Sequence, residues 1–133
     1  MKLCGSLLSV LTAGLLWAIP ASAETLISDS GKTQIFDYQF SHYPGDVLEY
    51  HTEVRGESYH GLIQVTQVGN GFVSGWFSDR SQRGDTGCTG NVHIRFTGNN
   101  RYTSIWDVGG SYSPYLTCPD SGSSFSLGMT AYP

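Results

Sequence analysis

An all-β domain, a small antiparallel up-and-down meander closing into a 7-8 stranded barrel with one disulfide, is the fold the sequence predicts. Three observations predict it. Apolar and polar residues alternate with period two along most of the chain, and turn residues recur about every ten positions. No segment beyond the first residues carries apolar side chains at helical spacing. Short links between sequential strands favour closure, which removes exposed edges. A two-sheet β-sandwich is the alternative.

Residues 1–23 read as a cleaved secretory signal peptide. Lys2 supplies a positive start, Leu3 to Ile19 is an almost uncharged apolar run, and Ala21-Ser22-Ala23 has the small-x-small form of a cleavage site. The run is short for a bilayer span and no stop-transfer pattern follows, which disfavours a retained anchor. Cys4 leaves with the leader. The expected product is a single all-β domain over residues 24–133, secreted or periplasmic.

The mature domain opens with Leu26 and Ile27, a short edge strand or a frayed end before the polar Ser28-Asp29-Ser30-Gly31. Thr33 to Phe40 alternates, with Phe36, Tyr38 and Phe40 assigned to the inward face. Tyr43-Pro44-Gly45-Asp46 has type II turn chemistry. Val47 to Arg55 alternates again, with Leu48, Tyr50, Thr52 and Val54 inward. The clearest signal is Ser58 to Asp79: two period-two runs flank Gly69-Asn70-Gly71, a strong hairpin signature. Gly75 inside the return strand suggests a bulge or sharp bend. Asp79 to Gly90 reads as a polar loop. Asn91 to Thr97 and Arg101 to Val108 form another hairpin, with Val92, Ile94 and Phe96 inward on one strand and Tyr102, Ser104, Trp106 and Val108 on the other. Gly109 to Ser124 reads as a long loop, and Phe125 to Ala131 as the last strand.

Cys88 and Cys118 survive cleavage, and a pair in an oxidising compartment reads as one disulfide. Closing that loop stabilises by roughly 3–4 kcal/mol in the chain-entropy model. Removing Lys2 leaves six basic residues against 11 acidic ones, a net charge of −5. That argues against a nucleic-acid partner, which requires a basic face.

Several motifs suggest chemistry and each has a plainer explanation. Glu49, His51 and Glu53 share one face of a strand and, with His60 or His93, offer zinc-type ligands; an outward strand face carries the same residues for solubility. Arg83-Gly84-Asp85 spells an adhesion tripeptide, but such letters recur in solvated turns. No nucleophile elbow is present, so no catalytic residue is assigned, and no metal or cofactor is expected.

Sixteen aromatic residues remain after loss of Trp17. The inward faces are expected to absorb Phe36, Tyr38, Phe40, Phe72, Trp76, Phe96, Trp106 and Phe125. Tyr112 and Tyr115 fall in the long loop, where tyrosine is a common contact residue. The leading expectation is therefore an exported, non-enzymatic binding protein, such as an inhibitor or envelope interaction module. It would be monomeric, have no membrane span after cleavage, and contact a protein or glycan through the loops near the disulfide, with Tyr112 and Tyr115 as contacts. The alternative is a small-ligand or glycan binder using Trp76, Trp106 and Tyr102. An enzyme with an unmarked site is the third.

Overall fold

The computed structural model describes residues 23–133. They form eight antiparallel strands closed into a barrel, with no helix among the described residues. The expected leader, except for Ala23, lies outside the described residues. The strands are β1 (Glu24–Ser28), β2 (Thr33–Tyr38), β3 (Val47–Val54), β4 (Glu57–Gly69), β5 (Phe72–Ser81), β6 (Thr89–Gly98), β7 (Arg101–Gly110) and β8 (Ser124–Tyr132). Each pairs with the next, and β8 returns to β1. The meander is thus closed and the sandwich alternative falls.

Inward positions of successive strands supply one core. Leu26, Ile35, Ile63, Ile94 and Met129 are fully shielded within it, because β-branched and aliphatic side chains at every second position all project to the barrel axis. The expected inward faces of β3, β6 and β7 are the observed ones. Trp106 is held at the centre by its ring N–H, which donates to Ser104 Oγ at 2.9 Å, while that hydroxyl lies 3.2 Å from Met129 Sδ. A buried indole N–H thereby keeps its partner.

The Gly69-Asn70-Gly71 hairpin forms, with Gly69 opposite Phe72 and Gly71 at φ +80°. The bend foreseen at Gly75 is present as well. The ladder shifts register between Val65 and Gln67, directly across from Gly75. A Cβ on Gly75 would meet the Gln64 carbonyl, so only glycine permits this approach.

Two strands turn differently from expectation. On β5 the inward residues are Val73, Gly75, Phe77 and Asp79, while Phe72 is half-buried and Trp76 lies on the outer wall, 45 % exposed. The register shift in β4 explains this. It turns Val65 and Val68 both towards the core, and Val68 pairs with Val73, which carries Val73 inward. On β2, Ile35 and Tyr38 both point inward because Asp37, at φ +55°, breaks the alternation between them. Phe36 is only half-buried, and Phe40 leaves the barrel at 62 % exposure.

The two ends of the barrel are unlike. At one, Tyr38, Phe96 and Tyr102 stack edge-to-face and close the interior. The other is ringed by the β1–β2, β3–β4, β5–β6 and β7–β8 connections. Cys88 and Cys118 are disulfide-bonded there, and Thr86 bridges Thr117. Arg55, on the β3–β4 turn, grips Asp120 with both terminal guanidinium nitrogens. The long loop is therefore tied down at several points. Closure itself is partial: only Thr25 to Ser28 pair with Met129 to Tyr132. Residues 124–127 of β8 consequently lack a β1 partner, which leaves a lateral opening near this end.

Candidate functional site

The open end holds a cavity of about 340 Å³. Its position follows from the strand pattern. Tyr50 on β3, Phe77 on β5 and Trp106 on β7 all sit at inward positions near the disulfide end, and no side chain from the short β1 covers them. The three rings meet at mutually inclined angles: Tyr50 to Trp106 and Phe77 to Trp106 are 5.1 Å apart between centroids, and Tyr50 to Phe77 is 6.3 Å. Phe125, 43 % exposed at the mouth, lies parallel to Trp106 at 6.3 Å. Leu127, Val108 and Val54 extend the apolar lining, and Lys32, Glu53 and Asp120 stand among the residues of the rim.

One ionisable group reaches into this apolar space. Asp79 is 8 % exposed. Its Oδ2 accepts from the Tyr50 hydroxyl at 2.6 Å, and its Oδ1 accepts from the Cys88 backbone N–H at 2.9 Å. Burial pushes its pKa above the ordinary carboxyl value and outweighs both hydrogen bonds, and Asp120 adds to the rise. The Tyr50 phenol is pushed well above its usual range by the same burial and by the facing Asp79, so it remains the donor.

Of the residues expected to form a site, the structure brings only some together. Trp106 lies at the cavity floor. Tyr112, half-exposed, and Tyr115, 86 % exposed, sit in the β7–β8 loop at the same end. Tyr102 lies in the packed opposite end, and Trp76 stands on the outer wall facing Gln64 and Asn91. No single ligand can touch all five.

Asp79, Tyr50, Phe77 and Phe125 complete the site, and no binding motif in the sequence marks them. The polar run from Asp79 reads as a loop, whereas β5 continues through it to Ser81. The parity of Val73 and Phe77, carried two residues on, marks Asp79 as an inward residue.

The remaining motifs have other surroundings. His51 and His60 are cross-strand neighbours on the outer wall, with rings 4.9 Å apart. Among the described residues no three His, Cys, Asp or Glu side chains gather to hold a metal. Ser74 Oγ lies 2.6 Å from His93 Nδ1, under a stacked Phe72. Burial, with Arg95 nearby, lowers the His93 pKa. The far ring nitrogen has no hydrogen-bond partner among the described residues, so the pair lacks the orienting acid of a hydrolytic triad. Arg83 of the Arg83-Gly84-Asp85 turn bonds Glu57 at 2.9 Å, while the Asp85 carbonyl accepts from Thr117 N–H.

No protein-family profile, curated protein or solved structure matches this chain.

Proposed function

We propose that the chain is an exported, non-enzymatic binding protein that takes the apolar part of a small organic ligand into the disulfide end of its barrel. One observation carries this reading. A cavity of about 340 Å³, floored by Trp106, Tyr50 and Phe77, opens to solvent beside a single buried carboxyl. Concave apolar space with one or two placed polar groups is the usual character of a ligand pocket. The Cys88–Cys118 bond supports export, since it persists in oxidising compartments.

The test is a thermal-shift and tryptophan-fluorescence screen of cationic, neutral and anionic amphiphiles. Each hit is repeated on Trp106→Leu and Phe125→Ala. Hits that vanish in both variants support the reading. A screen without hits, or hits indifferent to both changes, sinks it.

A second reading keeps the macromolecular partner. Tyr115 at 86 % exposure projects from a loop held by the disulfide and by Arg55. Pre-organised loops carrying tyrosine make low-entropy contacts. Tyr112→Ala with Tyr115→Ala should then leave the melting temperature unchanged and abolish capture of the partner; retained capture would end this reading.

A further inference from the structure

The mouth of the barrel combines an aromatic enclosure with a carboxyl that has no cationic partner among the described residues. Asp79 has two of its roughly four acceptor positions filled, by Tyr50 O–H and Cys88 N–H. Neither donor carries a charge. The other charges at the mouth are ion-paired or exposed to solvent. Arg55 is paired with Asp120, and Lys32 and Glu53 are exposed on adjoining strand ends, Lys32 O accepting from Glu53 N–H. Among the described residues Asp79 is thus the one buried carboxyl facing the apolar space, and it has no ion-pair partner there; an unpaired buried charge is costly.

We propose that the ligand is an organic cation, an amine or quaternary ammonium on an apolar body, whose ammonium sits between the Asp79 carboxylate and the rings of Trp106, Tyr50 and Phe77. The proposal rests on the binding reading above and names the ligand class for the same cavity. Inclined rings around a common space offer π-faces to a cation, an interaction that strengthens when water is excluded. A carboxylate within the same enclosure adds a charge-assisted partner, worth more there than at the surface. A neutral ligand would gain the apolar contact and leave Asp79 unpaired. A carboxylate-bearing ligand would set a like charge against it.

Three probes on one benzyl frame separate these outcomes: benzyltrimethylammonium, its uncharged carbon isostere neopentylbenzene, and the anion phenylacetate. Binding is read by tryptophan fluorescence and by calorimetry on the disulfide-intact domain. The cation should bind about tenfold more tightly than the isostere, with phenylacetate weakest. In Asp79→Asn the preference for the cation should fall to about twofold or less, with the isostere unaffected. A second measurement needs no variant: acidifying the wild-type protein should weaken the cation and leave the isostere unchanged, because protonation removes the charge at Asp79. Equal binding of cation and isostere, or a cation affinity indifferent to both Asp79→Asn and acid, overturns the cation proposal while leaving the cavity reading in place. Failure of all three probes to bind overturns both.

Discussion

Replacing Asp79 with Asn should change how stability depends on pH, with a sign and slope set by burial. The carboxyl is 8 % exposed, and its pKa lies above the ordinary 3.8 chiefly because burial disfavours its charge. In the unfolded chain it titrates near that ordinary value. Between the two values the folded protein holds a proton that the unfolded chain has released, so unfolding becomes easier as pH rises. The limiting slope is about 1.4 kcal/mol per pH unit, and the loss is complete once the folded value is passed. Asp29 and Asp46 act in the opposite sense. Arg101 lowers the first, and the Tyr43 N–H and His42 lower the second, so the stability they contribute is lost as pH falls. Subtracting the Asp79→Asn curve from the wild-type curve removes both. The Asn side chain should keep its place, since its oxygen can accept from Cys88 N–H while its NH₂ donates to the Tyr50 oxygen. Urea titrations of both proteins from about pH 3.5 to pH 7 make the measurement. The difference should fall with rising pH and then level. A flat or rising difference would refute the desolvation of Asp79. Tyr50→Phe removes the donor that pulls the pKa down, so it should extend the window upward and cost about 1.5–3 kcal/mol.

Three further outcomes follow from the same geometry. Replacing Cys88 and Cys118 together by Ala reopens a separation of 30 residues; calorimetry should show a loss of about 3.6 kcal/mol, or roughly 15 °C in Tm. A shift under about 3 °C would mean that the loops hold themselves. Gly75→Ala drives a Cβ into the Gln64 backbone, whereas Gly84→Ala has open space and suffers only its positive φ of +87°. Guanidinium melts should give about 2–3 kcal/mol for the first and about 1 kcal/mol for the second; the reverse order would contradict the packing at the β4 bulge. Arg55→Ala removes an exposed ion pair, so global stability should barely change. Proteolysis within residues 111–122 should nevertheless quicken; an unchanged rate would show that the disulfide alone holds the loop.

Alternation made β3, β6 and β7 legible, because each has one face that only a core can accommodate. The fate of β2 and β5 was less accessible, for different reasons. Asp37 takes a left-handed backbone conformation that brings Ile35 and Tyr38 to the same side; no pattern in TQIFDYQF distinguishes that from regular pleating. On β5 both faces carry aromatic residues, and the choice was made across the hairpin. The bulge opposite Gly75 sets the parity of Val68, and Val73 follows by pairing. Gly75 announced the bulge without saying which face it would turn inward. Trp106 and the loop tyrosines at the cavity end were visible as candidates. Asp79 was not, because an acidic residue beside Arg80, Ser81 and Gln82 reads as loop. Only the inward parity of β5 and the Tyr50 hydroxyl across the barrel give it an interior.

The four-residue seam between β1 and β8 also bears on how the molecule is made. Every other ladder joins strands that are sequence neighbours, so it can form as soon as the second strand exists. The seam alone must wait for Met129 to Tyr132 to meet Thr25 to Ser28, across nearly the whole domain. Until then the chain is an open sheet with β1 bare at one border and β8 at the other. Non-local pairing of this kind is the slow event in β folding. Two unfinished copies could satisfy those borders on each other, the route to swapped dimers and aggregates. Folding yield should therefore depend on protein concentration through this seam more than through any hairpin.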